Sequence, residues 1–346
     1  MCGEGYYCSY MNKKINLAQP YETIISLENL LAAWKEFLRG KKSKPDVQEF
    51  QMRLMDNIID LHTELKNKTY RHGGYKAFTI TDPKVRNIHK ATVKDRLLHH
   101  AIYRVLYPFF DRTFIADSYS CRVGKGTHKA IQRFDMFARK VSKNHTQTAW
   151  VLKCDVKKFF ASIDQTTLIK IIEEYISDEN IVWLVSDIVN SFHSTAKGVG
   201  LPLGNLTSQL LVNIYMNKFD HYMKHKLKAK YYIRYADDFV ILDADKNILL
   251  EMTPKIADFL QEELKLTLHP KKVFLKTINS GVDFLGWVHF SEHKVIRTTT
   301  KRRMFRGIKL KEGKEETVQS YLGLLSHGNA KKLQTKVLDI GKYYSI

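Results

Sequence analysis

The chain has 346 residues, of which 44% are hydrophobic and 12% are aromatic. This composition excludes a disordered chain, because such chains lack the apolar surface that offsets the entropy lost on folding. Lys and Arg number 56 against 36 Asp and Glu, which gives a formal net charge of +20. This surplus of positive charge favours a polyanionic partner. Because the charge is spread along the chain, nucleic acid is the first candidate.

The cysteines and the uncharged segments bear on the location of the protein. The cysteines are Cys2, Cys8, Cys121 and Cys154, whose spacing fits neither a disulfide framework nor a zinc site. The N-terminus has no secretory signal, and Met11 is an alternative start. The uncharged stretch 198–217 contains Pro202 and Gly204, which argue against a membrane span. We therefore expect a protein of the reducing cytoplasm without a membrane partner.

The first third of the chain combines helical and strand patterns. Apolar residues recur at three- and four-residue steps from Val47 to Leu65, which predicts an amphipathic helix. Tyr75–Ile80 and Val85–His89 are predicted as strands joined by a turn at Asp82–Lys84. A further helix is predicted over Val93–Phe110.

The remaining two thirds predict a small sheet among helices. The predicted strands are Trp150–Val156, Tyr231–Tyr235, Phe239–Leu242, Leu266–Leu268 and Val282–Val288. The predicted helices are Thr166–Tyr175, Ile181–Phe192, Leu210–Met223 and Pro254–Leu264. A basic cluster follows between Lys294 and Arg306.

Adjacent carboxylates lie at the tip of one predicted hairpin. Asp237 and Asp238 join two apolar strands, so we expect them on a packed sheet, where two repelling carboxylates require a cation. Asp155, at the end of another apolar strand, is the expected third ligand. Three oxygen donors suit Mg²⁺, and two such ions roughly 3.5–4 Å apart can clamp the attacking and leaving oxygens of a phosphoryl transfer. The alternative is a solvated surface turn, where Asp is common.

These carboxylates belong to a series of motifs that resembles the polymerase core of reverse transcriptases. The motifs, in the order expected for that family, are Pro83–Arg86 with Lys94–Arg96, Ser120–His128, Asp155 with Phe159–Phe160, Leu201–Gly204, Tyr235–Asp238, His269–Lys272 and Phe284–Trp287. The resemblance implies RNA-directed DNA synthesis from deoxynucleoside triphosphates (dNTPs) on a template RNA with a DNA or RNA primer. It also implies two Mg²⁺ ions, with Mn²⁺ as an alternative.

One branch of that family is especially similar. The segments Gly204–Gln209, Tyr119–Arg122, Gly126–His128, Ser320–Gly323 and His327–Gly328 resemble reverse transcriptases of diversity-generating retroelements. That branch copies a template RNA with adenine-biased errors and rewrites a variable gene by mutagenic retrohoming. It implies a bacterial, archaeal or phage origin and a small basic accessory protein.

A departure from the branch leaves alternatives open. Ala236 stands where Met is commoner in that branch. Group II intron-like, retron-like and phage-defence reverse transcriptases therefore stay open. An alternative of a different class is an RNA-binding scaffold without catalysis.

The resemblance implies roles for individual residues. Asp155, Asp237 and Asp238 are the metal ligands, and Lys272, or its neighbour Lys271, protonates the pyrophosphate leaving group. The implied dNTP-binding residues are Lys84, Arg86, Arg122, Phe160, Leu203 and Gly204. The residues implied to contact template and primer are Gln209, Phe284, Leu285, Gly286, Trp287, Arg297, Lys301, Arg302 and Arg303.

Two of the nucleotide-binding residues carry more specific expectations. Phe160 is expected to exclude the ribose 2′-OH by its bulk, while Phe159 belongs to the core. Leu203 occupies a position where many accurate relatives carry Gln, and it offers no hydrogen-bond donor to the incoming nucleotide. We therefore expect low fidelity, with simple packing of Leu203 as the alternative.

The expected fold is α+β, of the right-hand polymerase type. We expect an N-terminal extension over residues 1–44 and helix-rich fingers over 45–150, which include the start of the palm. A palm with a small antiparallel sheet is expected over 151–290, and a helical thumb over 291–346.

Overall fold

The computed structural model describes residues 20–81 and 85–343. The α-helices in this part of the chain are α1 (Pro20–Ile25), α2 (Leu27–Phe37), α3 (Pro45–Met52), α4 (Leu54–Lys66), α5 (Val93–Thr113), α6 (Thr127–Val141), α7 (Gln165–Tyr175), α8 (Glu179–Asn190), α9 (Leu206–His221), α10 (Lys246–Leu264), α11 (Thr298–Leu310), α12 (Glu315–Leu325) and α13 (Lys331–Tyr343). The strands are β1 (Tyr75–Ile80), β2 (Arg86–Ala91), β3 (Trp150–Asp155), β4 (Tyr231–Tyr235), β5 (Asp238–Asp243), β6 (Phe274–Thr277), β7 (Val282–Phe284), β8 (Trp287–His289) and β9 (Lys294–Ile296).

The chain divides into two compact units. The first, called here the helical unit, comprises the chain up to Ala116 together with Val156–Tyr222 and Asp258–Thr267. The second, called the sheet unit, comprises Asp117–Asp155, Met223–Ala257 and the chain from Leu268 onward. Each unit combines segments that are distant in sequence, and α10 contributes residues to both.

The helical unit is built around α5. Thr92 caps this helix, since its hydroxyl accepts a hydrogen bond from the backbone N–H of Asp95. Helices α2 and α9 pack against it through buried apolar side chains. The predicted strands β1 and β2 form an antiparallel hairpin in which Tyr75 faces Ala91. The apolar stripe from Val47 to Leu65 is divided between α3 and α4, because Arg53 leaves helical geometry with a φ of −121°.

The sheet unit contains a four-stranded antiparallel sheet in the order β4-β5-β3-β6. One face of this sheet forms a core with α6, in which Val151 and Val240 pack with Phe134 and Phe137. Alternation of the strands explains the packing, because residues two apart point to the same face.

Three expectations for the sheet unit and its surroundings were wrong in detail. The predicted strand Val282–Val288 is a hairpin of β7 and β8, because Leu285 and Gly286 have φ values of 50° and 90° and form a two-residue turn. Leu266–Leu268 forms no named strand, and α10 begins at Lys246, upstream of the predicted start at Pro254.

The last helices pack around a second core in the sheet unit. Met304 and Ile308 of α11 join Val318, Leu325 and Val337 in this core. Gly328, between α12 and α13, lies so close to the Trp287 ring that a Cβ atom there would come within 2.1 Å of it. No helix in the described part of the chain has the length and apolar character to cross a membrane.

Candidate active site

Strand register brings two of the predicted carboxylates together. Asp155 is the last residue of β3, and it lies directly opposite Asp238, the first residue of β5. Residues directly opposite in an antiparallel pair have their Cβ atoms about 4.5–5.5 Å apart and point to the same face. Two apolar strands that are 83 residues apart in sequence therefore end in a pair of facing carboxylates.

Asp237 lies in the turn beside this pair. Tyr235 pairs with Asp238, so Ala236 and Asp237 form a two-residue connection between β4 and β5. Ala236 has a φ of 55°, a left-handed conformation that costs an L-residue roughly 1–2 kcal/mol. Strained backbone conformations of this kind cluster at functional sites, and this one lies at the tip of a hairpin that carries carboxylates.

Each of the facing carboxylates is paired with a lysine. The Lys272 ammonium donates to Asp155 Oδ1 at 2.8 Å. The Lys153 Nζ lies 3.2 Å from Asp238 Oδ2, and it also donates to the Asp283 carbonyl of β7 at 2.8 Å. Like charges directly opposite in a sheet are destabilising, so these lysines offset the repulsion between the carboxylates.

The pairing is incomplete at Asp238. Burial, together with the charges of Asp237 and Asp155, raises the pKa of this carboxyl to about 6 against the opposing effect of Lys153. Its Oδ1 atom is buried without a hydrogen-bond partner. A buried acceptor of this kind is costly unless another donor or a cation reaches it.

This observation allows a test of the metal expectation. No group of three His, Cys, Asp or Glu side chains is assembled as a metal cage among residues 20–81 and 85–343. However, Asp238 supplies an unsatisfied buried oxygen, and Asp155 faces it in the sheet. Carboxylate oxygens are the donors that hard divalent cations prefer, so the residues present fit such an ion.

The structure distinguishes between the two candidate lysines. Lys272 reaches Asp155 with its side chain, whereas Lys271 is exposed and points its backbone N–H at the His269 ring. The backbone N–H of His269 donates to the Asp155 carbonyl at 2.8 Å, which fixes this loop at the end of β3. Lys272 is therefore the lysine whose ammonium lies at the carboxylates.

Sequence reasoning missed two basic residues beside the carboxylates. Lys153 precedes Asp155 by two positions, so strand alternation puts both on one face, and a lysine within an apolar strand was the available signal. Arg234 precedes the Tyr235–Asp238 turn and is fully buried. Its signal was weaker, because a charged residue beside a turn is ordinarily solvated.

Arg122, a predicted dNTP-binding residue, lies in a loop of the sheet unit. This loop enters α6 through Gly124 and Gly126, whose φ values are 72° and 115°. The Arg122 guanidinium donates to the Ser118 carbonyl at 3.0 Å, and the Gly126 N–H donates to the Tyr119 carbonyl at 3.1 Å. These bonds define the path of the loop.

The predicted template and primer residues of the sheet unit divide by burial. Phe284 and Trp287, which flank the Leu285–Gly286 turn, are buried core residues, so their side chains anchor the turn to the cores. Arg297 pairs with Asp283, and its backbone N–H donates to the Gly286 carbonyl.

Helix α11 presents the predicted basic surface. Lys301 and Arg302 are exposed, and Arg303 is half-buried. Met304 and Ile308 turn the opposite face of the same helix into the core. The helix therefore has an apolar face toward the protein and a basic face toward solvent.

The helical unit brings together another group of predicted nucleotide-binding residues. The Phe160 carbonyl accepts a hydrogen bond from the Leu201 N–H at 2.8 Å, and the Leu203 carbonyl accepts one from His89 at 3.0 Å. Phe159 is buried, as expected, whereas Phe160 and Leu203 are half-buried. Gly204 has a φ of 107°, and a Cβ there would come within 2.7 Å of Ile88.

The remaining predicted residues are less constrained. Arg86 is exposed at the start of β2, and Gln209 is half-buried on α9. Lys84 lies outside the described residues.

Comparison with known proteins identifies the family of this chain. The family model "Reverse transcriptase (RNA-dependent DNA polymerase)" matches residues 65–289. Protein YkfC of Escherichia coli (strain K12) is 24% identical in an alignment of 290 residues that covers 72% of this chain and 74% of YkfC. The group II intron-encoded protein LtrA of Lactococcus lactis subsp. cremoris is 25% identical in an alignment of 186 residues that covers 51% of this chain but only 29% of LtrA.

A solved structure is also similar in part. The apo telomerase from Candida Tropicalis aligns with a TM-score of 0.49 and 13% identity, covering 64% of this chain and 48% of that chain.

The matched region contains β3, β5 and the hairpin tip with its carboxylates. It also contains the Leu203–Gly204 turn and the β7–β8 hairpin. The family acts on template RNA and nucleotides, and its members depend on divalent metal ions. The chain thus belongs to the reverse transcriptase family, with an α+β fold of the right-hand polymerase type, and is an RNA-directed DNA polymerase.

Proposed function

We propose that Asp155, Asp237 and Asp238 form the catalytic centre for copying a template RNA into complementary DNA. The observation that carries this proposal is the register of β3 and β5, in which Asp155 faces Asp238 beside a strained turn that bears Asp237. The buried, unsatisfied Oδ1 atom of Asp238 supports it, because this oxygen is available to a cation.

The three carboxylates would hold two Mg²⁺ ions, or Mn²⁺ in their place. When bound, such ions lower the pKa of the primer 3′-hydroxyl and neutralise charge on the phosphates. The remaining steps belong to residues of the chain. Lys272, whose ammonium donates to Asp155, would protonate the pyrophosphate as it leaves, and Lys153 would hold the Asp238 carboxylate in place.

Nucleotide binding is proposed for the residues that the family resemblance implies. Arg122 and Arg86, together with Lys84, would contact the triphosphate, for which the guanidinium fork offers two parallel hydrogen bonds. Phe160 would exclude a ribose 2′-OH by the bulk of its half-buried ring, and its backbone carbonyl accepts a hydrogen bond from the Leu201 N–H. Leu203 would leave the incoming base without a side-chain hydrogen bond, which predicts low fidelity.

Nucleic-acid binding is proposed for α11 and the β7–β8 turn. The exposed basic face of α11, with Lys301, Arg302 and Arg303 on or beside it, would grip the phosphate backbone of template and primer. Gln209, Leu285, Gly286 and Arg297 would complete the contacts, with Phe284 and Trp287 supporting the turn. We also propose that the fingers begin at residue 45, the palm at residue 151 and the thumb at residue 291.

We further propose that the polymerase serves a diversity-generating retroelement. The segments Gly204–Gln209 and Gly126–His128 support this function through their resemblance to that branch. A small basic accessory protein would then bind the polymerase in the cytoplasm of a bacterium or archaeon, or of a cell infected by a phage that encodes it.

A group II intron-type function is the second candidate. It is favoured by the similarity to LtrA, which is a group II intron-encoded protein. Genomic DNA separates the two candidates. Paired template and variable repeats beside the coding sequence support the retroelement, and flanking intron sequences support the second candidate.

Primer extension on an RNA template tests the catalytic centre. Asp237→Asn should lower the rate of extension by several orders of magnitude, because an ion loses a ligand. RNA binding should stay within about twofold of the parent protein. Asp243→Asn is the matched control, since Asp243 lies at the other end of β5. Equal extension by the Asp237 variant and the control would reject the proposed centre, and inactivity of the parent protein would favour an RNA-binding scaffold.

A further inference from the structure

Arg234 is a fully buried cation immediately before the carboxylate turn. Its side chain is 0% exposed, although arginine is among the residues least often buried. One guanidinium nitrogen, Nη1, donates to the Ala236 carbonyl at 3.2 Å. The other, Nη2, donates to the Ser118 hydroxyl at 3.1 Å. The guanidinium thus joins the turn to a segment more than a hundred residues away in the sequence.

The contact with Ala236 falls on the strained residue of the turn. Ala236 has a φ of 55° and lies between Tyr235 and Asp237. A hydrogen bond to its carbonyl favours one orientation of the peptide that links Ala236 to Asp237. Because the Asp237 side chain leaves the backbone one residue later, the orientation of this peptide sets the direction in which the carboxylate points.

The contact with Ser118 connects the turn to the Arg122 loop. Ser118 and Arg234 form a parallel bridge, flanked by hydrogen bonds from Arg234 N–H to the Asp117 carbonyl and from Tyr119 N–H to the Arg234 carbonyl, both 3.0 Å. The Ser118 carbonyl accepts from Arg122 at 3.0 Å. Farther along the loop, the Thr127 hydroxyl lies 3.1 Å from the Tyr235 hydroxyl. A single buried residue, Ser118, therefore contacts both arginines.

We propose that Arg234 is a positioning residue that fixes the Ala236–Asp237 peptide and aligns it with the Arg122 loop. This inference rests on the proposed catalytic role of Asp237. Arg234 touches neither substrate nor metal; it acts through the backbone of the turn and through Ser118. Its effect is to hold the carboxylates in the geometry that binds divalent cations.

The geometry requires arginine and not only a positive charge. Two different nitrogens of one planar guanidinium group donate these two hydrogen bonds, whereas lysine offers a single ammonium on a side chain that is shorter overall. Arg234→Lys keeps the charge but cannot reach both acceptors. Supporting groups behind metal ligands typically change metal affinity or activity by about 10–100-fold when they are removed.

The test measures metal binding separately from catalysis. Mn²⁺ binding is followed by electron paramagnetic resonance in protein without nucleotide, and primer extension is measured against Mg²⁺ and dNTP concentration. Arg234→Lys should weaken Mn²⁺ binding and lower kcat by about tenfold or more, with RNA–DNA duplex binding within about twofold of the parent. A simple loss of stability would not move the Mn²⁺ affinity of the folded fraction.

A second substitution makes the test specific for the turn. Glycine adopts a positive φ without strain, so Ala236→Gly should restore about threefold or more of the Mn²⁺ affinity lost in Arg234→Lys. Ser118→Ala removes one acceptor of the guanidinium and should weaken Mn²⁺ binding less than Arg234→Lys does. It also serves if Arg234→Lys fails to fold.

The control is Arg104→Lys in the helical unit, where Arg104 pairs with Glu36 and donates to the Asn29 side chain. This variant should match the parent in Mn²⁺ affinity. Parental Mn²⁺ affinity in both Arg234→Lys and Ser118→Ala would overturn the positioning role. If Asp237→Asn also retains parental extension, the proposed centre has failed first, so the two failures are distinguishable.

Discussion

The sheet unit and the helical unit hold their candidate functional residues in different ways. In the sheet unit, charged side chains are fixed on a buried sheet, and each of the facing carboxylates Asp155 and Asp238 has a lysine partner. In the helical unit, the candidates include an aromatic ring, a leucine and a glycine in a segment that backbone hydrogen bonds from Leu201 and His89 hold in place. The first arrangement is suited to chemistry, and the second to selection by shape.

The difference extends to the buried titratable groups. Burial raises the pKa of Asp238 in the sheet unit, so acid relieves an unfavourable charge there. In the helical unit, burial lowers the pKa of His99 to about 3, so acid forces an unfavourable charge on that core. Protonation of Asp238 and protonation of His99 should therefore change the stability of their units in opposite directions. The following experiments test this contrast and the contrast between chemistry and selection by shape.

Among these experiments, the largest change in stability is expected at Lys153. Lys153→Met removes the partner of a mostly buried carboxylate and should lower the free energy of unfolding of the metal-free protein by about 2–3 kcal/mol at pH 7.5. Because the folded-state pKa of Asp238 is raised, protonation at pH 5 should shrink the loss. Denaturant unfolding at both pH values measures this.

Lys276→Met, an exposed lysine on β6 of the same sheet, is the control and should change stability little. A loss for Lys153→Met that is as large at pH 5 as at pH 7.5 would contradict the role of charge neutralisation. Added Mg²⁺ should also reduce the loss, since a cation can take the place of the ammonium.

The helical unit should lose stability in acid. His99 is buried, and its folded-state pKa of about 3 lies below that of the unfolded chain. Its contribution is present above about pH 6.5 and declines as the pH falls, because the unfolded state binds the proton more readily. From pH 6.5 to 5 this group accounts for about 2 kcal/mol.

The variant His99→Gln should flatten this part of the pH–stability curve. His62→Gln, which removes a half-buried histidine of α4, is the control. An unchanged slope in the His99 variant would show that other groups cause the acid sensitivity of the unit.

Selection by shape is tested at Phe160. Phe160→Ala opens space beside the proposed ribose site and should raise ribonucleotide incorporation by about tenfold, since shape discrimination in an apolar pocket is of this order. Metal dependence should stay parental, because no charge changes. Single-nucleotide extension with dNTP and ribonucleotide measures the ratio.

Phe159→Leu is the matched control, as Phe159 is buried in the core beside Phe160. That change should lower stability without altering sugar selection. If Phe160→Ala discriminates like the parent, the gate lies at another residue.

The smallest effect is expected at Leu203. Leu203→Gln adds a donor worth about 0.5–1.5 kcal/mol, which corresponds to a change of roughly 2–13-fold in misincorporation. Sequencing of products copied from one RNA by parent and variant measures it. Unchanged errors, at template adenines and elsewhere, would favour simple packing of Leu203.

Several features followed from the sequence because they depend on local pattern. The strands β3, β4 and β5 were predicted closely, since runs of apolar residues ending in charge mark strands of a packed sheet. The pair Asp237 and Asp238 was placed at a hairpin tip for the same reason. Motif order then predicted the reverse transcriptase family, which the family comparison confirmed.

Other features needed the tertiary structure, because they depend on long-range contacts. The hairpin at Leu285 and Gly286 was missed, since an apolar run carries no signal of a positive φ at leucine. Likewise, no local pattern shows that Lys272 and not Lys271 reaches Asp155.

The sequence by itself thus determined the strands β3, β4 and β5, the carboxylate pair in the turn between β4 and β5, and the family, all of which depend on residue type and spacing. Only the tertiary structure decided which cations meet those carboxylates. Lys153 and Arg234 are ordinary basic residues in a sequence with a net charge of +20. They become distinctive when strand register buries them beside Asp238 and Ala236, because the energetic weight of a charge depends on what surrounds it once water is excluded.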